Sequence, residues 1–227
     1  MKVVFKYEES NIDIKSISVI GSFNNYNVES GKMNKEDGIW TCSCEIPSGE
    51  HFYRFIINGE LKLNDPLANM YLPNEKEELW SVIMINDDDE RMYNNTQYTV
   101  HIDKYNMNSS VSEEENVAIK KSFNKTVDDK VVTRFTFTNV TGLHTATVCW
   151  YTPSGELFQV TENNLFSPSK DSSDPITLWF WMELSNNKKI CQEGMWNIKL
   201  FIDGAYILED TFNLIHNGMY SAQGKYC

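Results

Sequence analysis

Tyr26 follows an Asn24-Asn25 pair, and this placement is the clearest offer of chemistry in the chain. Asparagine tolerates left-handed backbone and bonds locally to its own main chain, so the pair marks a turn. A side chain just beyond it can project from the turn instead of packing beneath a sheet. A flat aromatic on a loop above a small β-sandwich suggests a binding surface, with sugar rings as one candidate ligand. The residues of covalent chemistry are dispersed by comparison. His51, His101, His144 and His216 form no pair at metal-ligand spacing. There is no Gly-x-Ser-x-Gly elbow and no phosphate-cradling glycine loop. Glycoside hydrolysis needs two carboxylates flanking a cleft. Acids are abundant, but two small sandwiches offer no deep cleft for such a pair. The expectation is therefore a protein that is not an enzyme, with no catalytic residues, no metal and no cofactor.

The five cysteines are an odd number without a disulfide-framework spacing, which suits a reducing compartment. In Trp40-Thr41-Cys42-Ser43-Cys44-Glu45-Ile46, strand alternation puts Trp40, Cys42, Cys44 and Ile46 on one face. Metal binding there would need two further soft ligands, so the two thiols are expected to act as small hydrophobes facing a core. The acidic run Asp87-Asp88-Asp89-Glu90 lacks the alternating ligands and central glycine of a calcium loop.

The elements that must position Tyr26 are strands. Residues 1 to about 86 carry short alternating runs, Val3–Lys6, Ser16–Ile20, Gly38–Cys44, Phe52–Ile57 and Ser81–Ile85, separated by turn signals. Asn58-Gly59 is the strongest of these signals, because a type I′ turn needs positive φ at both central residues. The stretch from Asn86 to Asn95 reads as an exposed linker. A second set of strands follows: Tyr98–Ile102, Val131–Thr138, Thr145–Tyr151, Leu157–Thr161, Ile176–Leu184, Met195–Ile202 and Tyr206–Leu214. Ile176–Leu184 is apolar on both faces for part of its length and is expected to be a central strand. Ser112 to Lys121 could form a helix, with Ser112 as N-cap and Glu115 three residues on, or a loop. Strand spacing of this kind points to immunoglobulin-like sandwiches.

Composition narrows the setting. With 227 residues, 41% hydrophobic and 13% aromatic, the chain can build real cores. Its net charge of -12 makes nucleic acid and anionic membrane poor partners, since phosphate binding needs clustered Lys and Arg. No signal-peptide pattern occurs at the N-terminus, and no stretch approaches the roughly 18 apolar residues of a membrane span. A cytoplasmic protein is expected.

An ordered series of motifs in the first half resembles a known family. Gly21-Ser22-Phe23-Asn24-Asn25-Tyr26, Gly38-Ile39-Trp40, Pro47 to Phe55, Asn58-Gly59-Glu60 and Asn64-Asp65-Pro66 are similar to the glycogen-binding module of AMP-activated kinase β subunits. That module belongs to carbohydrate-binding module family 48 and is related to the N-terminal domains of branching and debranching enzymes. The resemblance covers residues 14 to 86. It implies an early-set, immunoglobulin-like sandwich that binds α-glucan. It also implies a ligand site of two Trp platforms, a Lys between them and an Asn near the last strand. On this chain the first platform falls on Tyr26 and the Lys on Arg54. The second platform falls on Leu61, which has no flat face to offer a glucose ring. Trp80, near the Asn position, could supply the missing aromatic if it points to the same face.

The expectation is thus an all-β chain of two early-set, immunoglobulin-like sandwiches in tandem. They would span residues 1–90 and 97–216, with a loose tail at 217–227. The expected function is α-glucan binding without catalysis, with Tyr26, Arg54, Leu61 and Trp80 as candidate site residues. The alternative is a scaffold for protein contacts or self-association on a sandwich that has lost its sugar.

Overall fold

Strict alternation starts the fold: in β1 (Lys2–Glu8), Val3, Phe5 and Tyr7 are buried and every residue between them is exposed. A computed structural model describes residues 1–8, 12–68, 70–76, 78–92, 99–112, 119–167, 174–184 and 191–216. After β1 come β2 (Ile17–Gly21), a 3-10 turn (Ser22–Asn24), β3 (Asn34–Glu36), β4 (Ile39–Glu45) and β5 (Gly49–Ile57). The first half closes with β6 (Leu61–Leu63), β7 (Tyr71–Pro73), β8 (Leu79–Ile85) and β9 (Arg91–Met92). One sheet has the order β1-β4-β3. The other runs β2-β5-β8-β7, with β6 added to β5 and β9 to β8. Phe5, Tyr7 and Trp40 from the first sheet meet Ile17, Val19, Tyr53, Phe55 and Ile83 from the second in one core. Cys42 and Cys44 pack against that core as small hydrophobes, and burial pushes the Cys42 thiol up to about 12, helped by its neighbour Cys44.

The second half is built the same way from longer strands: β10 (Thr99–Asn108), β11 (Ser122–Asn124), β12 (Lys130–Thr141) and β13 (Leu143–Tyr151). Then follow β14 (Leu157–Phe166), β15 (Ile176–Glu183), β16 (Gly194–Ile202) and β17 (Ala205–Ile215). The sheet β10-β12-β15 faces the sheet β11-β17-β16-β13-β14. Between them lie Phe135, Phe137 and Phe180 from one side, and Trp150, Trp196 and Phe212 from the other. The chain is all-β, two immunoglobulin-like sandwiches in tandem. Among the described residues no helix is long and apolar enough to cross a membrane.

Two expectations need correction. Ile176–Leu184 is not a central strand: β15 is the edge of its sheet, paired with β12 alone, and it exposes Trp181 on its outer face. The strand buried on both faces is β13. Its Ala146, Val148 and Trp150 enter the second core, while Cys149 on the opposite face completes the first. Phe201 of β16 does the same, and Tyr151, Leu157 and Tyr206 pack beside it. The stretch read as an exposed linker also folds back, because β9 pairs with β8 through Met84↔Met92 and Ile85↔Arg91. Residues 93–98, most of the candidate helix (113–118) and the tail 217–227 lie outside the described residues.

The two halves therefore meet along the outer face of β13 and β16. The β16–β17 hairpin turn Asp203-Gly204, with φ of 52° and 84°, comes to rest on Asn64. A Cβ on Gly204 would lie 1.8 Å from the Asn64 carbonyl oxygen, so only glycine fits this approach.

Candidate functional site

The turn carrying Tyr26 is held by one side chain. Asn24 accepts the Gly21 N–H through Oδ1 at 2.9 Å and donates from Nδ2 to the Val19 carbonyl at 2.9 Å. The Tyr26 N–H then donates to the Gly21 carbonyl at 2.9 Å. These bonds leave Asn25 and Tyr26 both left-handed, with φ of 53° and 56°. Asparagine accepts that region readily, but a bulky aromatic there is an outlier that costs about 1–3 kcal/mol. Tyr26 is 49% exposed. Beneath the turn, Ser22 Oγ bonds His51 Nδ1 at 3.0 Å, and His51 Nε2–H donates to the Pro47 carbonyl at 3.0 Å. His51 is thus a buried structural residue with both ring nitrogens engaged.

Trp80 stands on β8 beside the turn. Its ring centroid lies 5.8 Å from that of Tyr26, with the planes at 87°. The indole N–H donates to the Glu78 carboxylate at 3.2 Å, and this bond holds the Glu78 carboxyl below the usual carboxylate range. Arg54 projects from the neighbouring β5, one residue beyond the Tyr53↔Ser81 pair. Its guanidinium carbon is 4.9 Å from the Trp80 ring centroid, a cation–π contact.

Of the four candidates, the structure brings three together: Tyr26, Trp80 and Arg54 form one chain of contacts. They differ in access. Arg54 is only 5% exposed and its donors are committed. Nε donates to Asn64 Oδ1 at 3.2 Å, and Nη2 donates to the Leu79 carbonyl and to Glu162 Oε1, the latter at 2.7 Å. It lies beneath the platform as a support for the Trp80 ring. Leu61 is placed elsewhere. At 3% exposed it enters the first core with Leu63 while Lys62 points out, as alternation in β6 dictates. Leu61 as a ligand contact is corrected: its side chain packs in the first core, and the ring beside Tyr26 is that of Trp80.

Beside this pair lies a buried polar cluster from the Asn64-Asp65-Pro66 motif. Asn64 Oδ1 also accepts the Ser81 N–H at 3.0 Å, and Nδ2 reaches Thr145 Oγ1 of the second half at 3.4 Å. Asp65 accepts from Tyr53 Oη–H at 2.9 Å and from the Leu67 N–H at 2.8 Å. Burial raises its carboxyl above the ordinary value, with those bonds working the other way. The motif had signalled a turn. Its role in locking β5, β8 and the second half together depends on residues far along the chain and was not readable locally.

Residues 1–92 match the family model described as the glycogen recognition site of AMP-activated protein kinase. No curated protein matches the chain. Among solved structures, an immunoglobulin-like protein from Pseudomonas aeruginosa is 17% identical, with a TM-score of 0.38. The match covers 53% of this chain and 100% of that one. An alkylpurine DNA glycosylase from Pseudomonas fluorescens, bound to DNA containing an abasic site analog, is 9% identical with a TM-score of 0.36. It covers 53% of this chain and 31% of that one. Neither likeness carries weight at such scores, and the fold rests on the sheets themselves.

Proposed function

We propose that the protein binds α-glucan of the glycogen or starch type, without catalysis, on the surface formed by Tyr26 and Trp80. The observation that carries this reading is the exposed Tyr26 ring, held in left-handed backbone against its own preference and set at 5.8 Å from Trp80. Strain of this kind clusters at binding and catalytic sites. Two flat apolar rings suit the apolar face of a glucose unit. The match of residues 1–92 to a glycogen recognition site supports the ligand class. A cytoplasmic setting belongs to the same reading, supported by the free thiols of Cys42, Cys44, Cys149 and Cys191.

Native electrophoresis in gels with and without glycogen tests it. The wild-type chain should be retarded by glycogen. Tyr26→Ala and Trp80→Ala should each weaken retardation by about tenfold in apparent affinity, the scale of a lost ring contact of about 1 kcal/mol or somewhat more. A wild-type chain that migrates alike in both gels would sink the glucan reading and leave the two rings as a protein-contact surface. Retardation undiminished in Tyr26→Ala would move the site elsewhere.

A further inference from the structure

We propose that the C-terminal sandwich is part of the glucan site: Glu162 is a positioning residue that holds Arg54, and through Arg54 the ring of Trp80. The proposal rests on the glucan reading above for its ligand, but its geometry stands independently. Glu162 belongs to β14, the edge strand of the large sheet of the second half, and lies 108 positions from Arg54 in sequence. Its carboxylate meets Arg54 Nη2 at 2.7 Å, with side-chain exposures of 6% for Arg54 and 23% for Glu162.

Three features make this contact a determinant of ring position. First, Arg54 is planar and its fork is fixed on several sides, by Asn64 Oδ1, the Leu79 carbonyl and Glu162. A guanidinium held this way presents one defined face to Trp80, which a lysine ammonium would not do. Second, the Leu79 carbonyl that accepts from Arg54 is the residue before Trp80, so backbone and ring are set by the same group. Third, the carboxylate cannot drift, because the halves are seated on one another. Cys149 and Phe201 complete the first core, Thr145 bonds Asn64, and Gly204 rests on the Asn64 carbonyl. Removing Glu162 takes from a buried cation the carboxylate bonded to it, and its cheapest relief is to swing toward solvent. That movement would take away the support of the Trp80 ring.

The test uses the full chain, with maltoheptaose as the probe and two readouts. The first is affinity by calorimetric titration. The second is the indole N–H resonance of Trp80 in the ligand-free protein, assigned by its loss in Trp80→Phe. Glu162→Gln should weaken maltoheptaose binding about tenfold, the scale of one charge-assisted bond, and should shift the Trp80 resonance while leaving those of Trp150 and Trp196 in place. Glu162→Asp, which restores the charge, should recover part of the affinity. Glu156→Gln makes the same charge change on an exposed turn of the same half and should alter neither readout. Unchanged affinity and an unshifted Trp80 resonance in Glu162→Gln would overturn the proposal. If the wild-type chain binds no maltoheptaose, the glucan reading falls. The ligand-free Trp80 resonance then decides the positioning role alone, a shift supporting it and none overturning it. Should Glu162→Gln fail to fold, Glu162→Asp decides, because its shorter carboxylate draws back from the 2.7 Å contact: weakened binding with a shifted Trp80 resonance supports the proposal, and unaltered affinity and resonance overturn it.

Discussion

Tyr26 shows how much a single residue can give up for its surroundings. At φ 56° an L-residue pays roughly 1–2 kcal/mol that glycine does not. Tyr26→Gly and Tyr26→Ala both delete the ring, so their difference isolates the backbone. Tyr26→Gly should be the more stable by about 1 kcal/mol in urea unfolding, the reverse of the usual order, and both should bind glucan about tenfold more weakly. Glu78 supplies a pH prediction at the same scale. Its carboxyl is held below the ordinary value, first by the Trp80 indole N–H and then by Asn74. A depressed folded pKa means that the bond is fully present above the unfolded value of about 4.3 and is lost as pH falls through the folded one. Glucan affinity should therefore stay flat from pH 8 to 6 and decline only below the usual carboxylate range, read by titration at each pH. Legibility also varies at this scale. Tyr26 was visible because the Asn24-Asn25 pair announces its turn. The burial of Arg54 was not, because its counter-charge is 108 positions away.

At the scale of elements, each of the twelve runs read from the sequence overlaps a strand among the described residues, since extended patterning bounded by turn signals is a local property. The short pieces Asn34–Glu36, Leu61–Leu63, Tyr71–Pro73, Arg91–Met92 and Ser122–Asn124 were not foreseen, because two or three residues carry no period. Strand position within a sheet was the weaker inference. The apolar run of β15 suggested a centre, yet its Trp179 and Trp181 lie on the outer face under Arg134 and Lys130. The truly double-faced β13 hides behind Thr145, Thr147 and Cys149, which are small because the other half presses on them. The hairpin glycines separate two costs. Gly59→Ala meets open space and should lose only the left-handed penalty, about 1–2 kcal/mol. Gly204→Ala meets the Asn64 backbone as well and should lose more, roughly 2–4 kcal/mol by urea unfolding. Across the second sandwich, Tyr105 of β10 donates to Asp210 of β17 at 2.6 Å, and Lys121 bonds the same carboxylate. Burial pushes the Asp210 carboxyl up, but the bonds from Lys121 and Tyr105 outweigh it and leave it below the ordinary value. The clasp should contribute stability above the unfolded value of about 3.9 and lose it as pH falls through the folded one. Asp210→Asn should flatten that acid limb, and Tyr105→Phe should cost about 0.5–1.5 kcal/mol at neutral pH.

At the scale of the whole molecule, the two sandwiches are not independent beads. Residues of the second half complete the core of the first, and Arg54 finds its counter-ion across the join. Calorimetry of the full chain should therefore give one transition, and removing residues 99–227 should lower the stability of what is left by exposing the apolar surface that Cys149 and Phe201 cover. The family match ends at residue 92, while Arg54 within it pairs with Glu162 beyond it. The central claim is that α-glucan lies on Tyr26 and Trp80. It is tested most directly by titrating the full chain with maltoheptaose and following the Trp80 indole resonance. The expected result is a saturable shift whose midpoint moves to about tenfold higher maltoheptaose in Tyr26→Ala. A resonance that stays still at millimolar maltoheptaose, or one that shifts equally without Tyr26, would contradict it.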